Sequence, residues 1–121
     1  MTLRVYLRAK IHRATVTGAD ADYMGSIAID ADLMRRAGFG PFERVSVSNL
    51  TTGEEIETYA IPAEPLSGKI LLNGAAARRF RPGNSIIIAA WTLTDGEPAA
   101  PRMVLVDAAN RYAGDIEPVP F

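Results

Sequence analysis

The ordered runs of this chain are short, and turn residues separate them. Leu3, Val5 and Leu7 alternate with Arg4, Tyr6 and Arg8, the period of a strand with one buried face. Further strands are expected over residues 10–16, 26–29, 45–50, 56–62, 69–72, 86–93 and 103–106. Thr51-Thr52-Gly53-Glu54 lies between two of them and signals a hairpin. Only two stretches read as helix. Over 30–38, Asp30 or Asp32 can cap the start, Leu33, Met34 and Ala37 give an apolar face, and Gly38 can end it. Over 75–80, a brief helical segment follows the Asn73-Gly74 turn and stops at Arg81-Pro82-Gly83. Residues 17–25 and 95–101 read as loops, and 107–121, with two prolines near its end, as a loosely packed arm. Many short strands with short connections predict a mainly β fold with short helices, closed into a barrel because closure removes exposed edges.

Composition narrows the chemistry. A chain of 121 residues, 48% hydrophobic, supports one domain with one core. Its net charge is -1 with both signs interspersed, so no nucleic-acid partner and no polybasic membrane anchor is expected. There is no cysteine, which excludes disulfides, thiolate metal sites and cysteine nucleophiles. His12 is the only histidine; a Ser-His-Asp triad would have to use it, and a zinc site would lack its usual ligands. No metal is expected. The first 16 residues lack the apolar run of a signal peptide, and no stretch approaches the roughly 20 apolar residues of a membrane helix. The expectation is a soluble, cytoplasmic protein.

The polar residues left for chemistry are Lys10, His12, Tyr23, Ser26, Asn49, Thr58, Tyr59 and Asn73. Singly, each has an ordinary structural reading. Lys10 on a strand reads as a solvated face, His12 as a hydrogen-bonding residue, and Tyr59 as core with its hydroxyl paired. Asn73-Gly74 reads as a turn, and Gly25-Ser26 is a common dipeptide. Taken one at a time, they define a β domain and no activity.

In order and together, they resemble the aspartate 1-decarboxylase family. The residues that carry the resemblance are Lys10-Ile11-His12-Arg13, Val16-Thr17, Ala19-Asp20, Tyr23-Met24-Gly25-Ser26, Ala28-Ile29-Asp30, Ala37-Gly38, Asn49, Thr51, Gly53, Thr58-Tyr59-Ala60-Ile61, Ala63-Glu64, Asn73-Gly74-Ala75-Ala76-Ala77, Gly83 and Ile86-Ile87-Ile88-Ala89. The similarity covers roughly residues 3–107. It implies a double-psi β-barrel over 1–107, a C-terminal arm over 108–121, and a homotetramer with active sites between subunits. It also implies a pyruvoyl group made from Ser26, with no pyridoxal phosphate and no metal.

The family's chemistry implies the following for this chain. The Ser26 hydroxyl attacks the Gly25 carbonyl, and an ester replaces the amide. β-Elimination then frees Gly25 as a new C-terminus and leaves dehydroalanine, which hydrolyses to pyruvoyl and ammonia. The zymogen thus becomes a small chain and a larger one. Glycine before the bond leaves the carbonyl unshielded and permits unusual backbone angles, where strain could help drive the shift. Thr58 matches a hydroxyl that assists cleavage near the scissile carbonyl. The ketone condenses with the substrate amine as a Schiff base and accepts the electrons left by carbon dioxide. Tyr59 matches the proton donor, and Lys10 a residue binding substrate carboxylate. Asn73, Gly74, Ala75 and Ala76 match substrate-pocket positions, with His12 and Tyr23 in support. The reaction implied is L-aspartate to β-alanine and carbon dioxide, a step supplying pantothenate and coenzyme A synthesis.

The chain departs from that pattern in one hairpin. The family carries an arginine four residues before the catalytic tyrosine, gripping the substrate's side-chain carboxylate; here that position is Glu55. A tryptophan common just before the hairpin asparagine is Ser48. Two like charges about 4 Å apart at an effective dielectric near 20 cost on the order of 4 kcal/mol. Three readings follow. Glu55 faces solvent while Arg8, Arg44 or Arg78 supplies the cation; or a different amino acid, with a basic, neutral or larger side chain, is the substrate; or the chain is a non-catalytic double-psi barrel paralogue.

Overall fold

The structure is a computed structural model and describes residues 1–119. Nine strands form among the described residues: β1 (Arg4–Thr15), β2 (Gly18–Asp20), β3 (Ser26–Asp30), β4 (Arg44–Asn49), β5 (Glu55–Ala63), β6 (Ile70–Asn73), β7 (Ser85–Thr94), β8 (Arg102–Val106) and β9 (Tyr112–Asp115). A helix, α1 (Ala31–Ala37), follows β3, and a 3₁₀ helix over Gly74–Arg79 follows β6.

The strands lie in the order β2-β6-β3-β5-β4-β7-β1-β8-β9. β1 and β2 are one run of chain interrupted only by Val16 and Thr17. Strands far apart in the order are therefore covalently joined, and the sheet curls back on itself. Val16 and Thr17 complete the seam: the Val16 amide donates to the Asn84 carbonyl at 2.9 Å, and the Thr17 amide to the Ile70 carbonyl at 2.8 Å. β1 with β8, β2 with β6 and β3 with β5 are parallel pairs, while the other pairs are antiparallel. The fold is mainly β, the double-psi β-barrel expected. Its interior holds Ile11, Ile27, Val47, Leu72, Ile86 and Ile88, each fully buried. Branched aliphatics dominate because they fit a pleated, closed surface.

α1 forms where its caps dictate. The Asp30 carboxylate accepts the Asp32 amide at 2.9 Å, and Gly38 closes the helix at φ 79°. Asp30, 2% exposed, also accepts the amides of Leu66 and Gly68 at 2.9 Å each. One carboxylate thus ties β3, α1 and the turn before β6 together, as buried charge requires.

Three expectations change. The two strands expected over 3–8 and 10–16 are one bent strand, β1 (Arg4–Thr15), because register shifts after Leu7 and Ile11 absorb the irregularity that breaks the sequence pattern. The 17–25 loop contains β2, paired with β6 through Gly18–Leu71 and Ala19–Leu72. The segment after Asp107 is docked: β9 pairs with β8. Asn110, 2% exposed, accepts the Thr15 amide and donates to the carbonyls of Thr15 and Gly68, all at 2.8 Å. This asparagine adds side-chain anchorage to the strand pairing, and hydrophobic periodicity carries no trace of it. The last of the tail's prolines, Pro120, and Phe121 lie outside the described residues.

Candidate active site

Ser26 opens β3 with its side chain turned inward, 1% exposed. β3 pairs antiparallel with β6, placing Ser26 opposite Asn73. The Asn73 side-chain amide donates to Ser26 Oγ at 3.0 Å, and the Ser26 hydroxyl donates to the Met24 carbonyl at 3.0 Å. Both capacities of the hydroxyl are used. Asn73 is itself buried at 5% exposure.

Gly25 lies at the surface beside this pair. It borders a cleft of about 320 Å³ shared with Ile56, Glu57, Thr58, Asn73, Ala75, Ala76 and Arg79. Gly25 does not have a positive φ, and a Cβ placed on it would meet nothing within 4 Å. Gly25 is therefore not held in the left-handed region that favours glycine. The steric demand falls on Gly74, at φ 76°, where a Cβ would lie 2.6 Å from Gly25 Cα and 2.9 Å from its nitrogen. Only glycine fits against glycine there.

The 3₁₀ helix organises the cleft's other wall. Ala76 and Arg79 are three apart in this helix, where such side chains eclipse, and both line the cleft with Asn73, the extended residue that ends β6. That period is the signal by which Arg79, absent from the candidates drawn from sequence, could have been found. Tyr23 lies on the other side, half exposed, in a groove of about 490 Å³ with Asn73, Ala28 and Lys69.

Lys10, Glu55 and Tyr59 are elsewhere. Across the sheet, Lys10 pairs with Ala89, Ala89 with Ser46, and Ser46 with Glu57. Residues side by side on paired strands share a face. The neighbours of Lys10, Ala9 and Ile11, are fully buried, so the row points out of the barrel. Glu55 and Tyr59 flank Glu57 at a spacing of two and share that outer face. Thr58, on the opposite face of the strand, lines the Gly25 cleft together with Ile56 and Glu57, whereas Glu55 and Tyr59 do not. The Tyr59 ring packs near Phe42, centroids 6.0 Å apart.

His12 continues β1 opposite Leu105. Its Nδ1 is buried without a hydrogen-bond partner. Burial, with help from the charges of Lys10 and Arg13, holds its pKa below the ordinary 6.5.

Of the cations expected to replace the hairpin arginine, Arg8 is bound to Glu43 at 2.6 Å and to the Gly38 carbonyl at 2.9 Å. Arg44 is bound to Glu57. Arg78 does not line the cleft. Glu55 is exposed and also stands outside it.

The sequence profile of the aspartate decarboxylase family matches residues 1–113. The chain belongs to the aspartate decarboxylase family. It is 50% identical over 110 residues to the aspartate 1-decarboxylase of Syntrophotalea carbinolica, covering 88% of this chain and 84% of that protein. It is 48% identical over 111 residues to that of Moorella thermoacetica, covering 89% and 87%. The aspartate 1-decarboxylase of Bordetella avium is 50% identical over 111 residues, covering 89% and 91%. Within this decarboxylase family chain, the described residues contain no cluster of three or more His, Cys, Asp or Glu able to hold a metal ion, and no helix long and apolar enough to cross a membrane.

Proposed function

We propose that this chain is a pyruvoyl-dependent aspartate 1-decarboxylase that converts L-aspartate to β-alanine and carbon dioxide after cutting itself between Gly25 and Ser26. The observation that carries the reading is the buried Ser26 hydroxyl, held by Asn73 beside a glycine that borders an open cleft. The setting fits a carbonyl group made from Ser26. The amide of Asn73 is a donor already aimed at that position, and the cleft gives substrate and water access to the side where Gly25 leaves. Once formed, the pyruvoyl group supplies an electrophilic carbon for an amine and a sink for the electrons released with carbon dioxide.

The chain's own residues do the rest. For cleavage, Ser26 Oγ leaves its contact with Met24 O and attacks the Gly25 carbonyl carbon. The C–N bond breaks, an ester C–O bond forms, and the serine proton ends on the freed nitrogen. Thr58, lining the same cleft, stabilises the oxyanion by donating a hydrogen bond. Loss of the Ser26 α-proton then expels Gly25 as a carboxylate. Asn73 holds Ser26 Oγ throughout the first step, and Gly74 provides the flat surface on which Gly25 rests.

Lys10 and Tyr59 act from another copy of the chain. Both stand on the outer face of β1, β7, β4 and β5, and neither lines the Gly25 cleft of its own copy. That face is apolar for an exposed surface: Val5 is 65%, Trp91 47% and Leu93 58% exposed. Patches of this kind mark association surfaces. In a homotetramer, the outer face of one copy covers the cleft of its neighbour, where Lys10 binds a substrate carboxylate and Tyr59 returns the proton. The protein works in the cytoplasm.

Intact-mass measurement of the purified protein tests the first half. Two fragments divided at Gly25-Ser26 are expected, the larger resistant to Edman sequencing; one uncut chain after prolonged warming would defeat the reading. Release of carbon dioxide from a panel of amino acids tests the second half. Aspartate is expected to be the preferred substrate, and preference for another amino acid would overturn that assignment.

A further inference from the structure

The cleft beside Gly25 contains one arginine that self-cleavage leaves without a task. We propose that Arg79 binds the side-chain carboxylate of the substrate and so sets specificity; the inference rests on the aspartate reading above. Arg79 is the only Lys or Arg among the described residues lining this cleft. Three residues per turn bring it into line with Ala76, and both border the cleft beside Asn73, whose side chain holds Ser26 Oγ.

Its guanidinium is underused. Nε stands 3.3 Å from Glu54 Oε2, longer than an ordinary charge-assisted hydrogen bond, and the side chain is 59% exposed. No other ion pair engages it among the described residues. By contrast, Arg8 and Arg44 are committed to Glu43 and Glu57. The fork of Arg79 thus remains open to a carboxylate, with Glu54 orienting one edge.

Its base is fixed. The Arg79 carbonyl accepts the side-chain amide of Asn49 at 3.2 Å, and Asn49 Oδ1 accepts the amides of Thr51 and Thr52 at 3.0 and 3.2 Å. Asn49 is 1% exposed. The β4–β5 hairpin and the end of the 3₁₀ helix therefore form one unit. The cation missing at Glu55 is restored across this junction, from the helix side. The charge falls on the carboxylate that the product keeps.

The test uses self-cut protein, verified by intact mass, and two unreactive probes: succinate, a dicarboxylate, and butyrate, a monocarboxylate of the same length. Calorimetric titration should show succinate bound at least about tenfold more tightly than butyrate, as one charge-assisted contact implies. Arg79→Gln should erase that preference, and Arg79→Lys should keep part of it. Glu54→Gln, by removing a competitor for the guanidinium, should preserve or sharpen it. A succinate preference that survives in Arg79→Gln overturns the proposal; this is also the result if the new Gly25 carboxylate occupies Arg79. Equal loss in Arg79→Gln and Glu54→Gln overturns it too, since a pair that only clips the hairpin behaves that way. Carbon dioxide release is scored separately. Arg79-dependent succinate binding without aspartate turnover defeats the activity and leaves this inference standing. Turnover with Arg79-independent binding does the reverse.

Discussion

Gly74→Ala should stall self-cleavage while leaving a folded protein. Two effects act at this position. The backbone sits at φ 76°, which costs an L-residue with a Cβ about 1–2 kcal/mol. The new methyl would also stand 2.6 Å from Gly25 Cα, against ordinary contact at 3.4 Å, so Gly25 must retreat by roughly 0.8 Å. Ser26 cannot follow, because β3–β6 pairing and the Asn73 amide hold it. The hydroxyl and the scissile carbonyl therefore move apart by most of that distance, and misplacement of about 1 Å costs on the order of 10²-fold in rate. Precursor made by cell-free synthesis and sampled by intact mass gives the cleavage rate. Gly83→Ala is the control: it carries the same kind of cost, at φ 94°, but its Cβ would meet nothing within 4 Å. Cleavage of Gly74→Ala at the wild-type rate would refute the reasoning. So would equal slowing in Gly83→Ala, which would trace the effect to stability alone.

Three further outcomes are expected. Gly25→Ala should fold normally and cut within about tenfold of wild type, because its Cβ has open space and its φ is not positive; loss of cleavage in intact-mass assays would show that the carbonyl itself needs an unshielded neighbour. Asn110→Ala should destabilise the barrel by about 2–4 kcal/mol in denaturant titration, since it strips partners from buried backbone groups of Thr15 and Gly68; a loss under about 1 kcal/mol would return the tail to the status of a loose arm. His12 resists protonation in the fold, its pKa held below 6.5 mainly by burial. The unfolded chain then binds the proton more readily, so stability should fall as pH drops through and below 6.5. Denaturation at pH values on either side should show a steeper acid loss in wild type than in His12→Gln, and parallel profiles would assign the loss to other groups.

Much of this molecule is legible without coordinates. Period-two alternation, the Asp30 and Gly38 caps and the Thr51–Glu54 turn are local signals, written by residues within a few positions of one another. They determine the mainly β class and most element positions. The motif set around Gly25-Ser26 likewise names a family. Other features need the tertiary structure because they depend on residues far apart in the chain. Asn110 is 95 positions from the Thr15 amide it accepts, so a tail that reads as loose is anchored. Thr58 and Tyr59 are adjacent in sequence, yet strand alternation sends one into the Gly25 cleft and the other to the outer face. Gly25, the glycine that chemistry singles out, is sterically unconstrained, while Gly74 bears the constraint because sheet pairing stacks the two. The sequence alone singled out Ser26 as the residue expected to react. Only the fold decided what stands beside it, because closure of the barrel packs Gly74 against Gly25, brings Asn73 and Arg79 to the cleft and leaves Lys10 and Tyr59 off its lining.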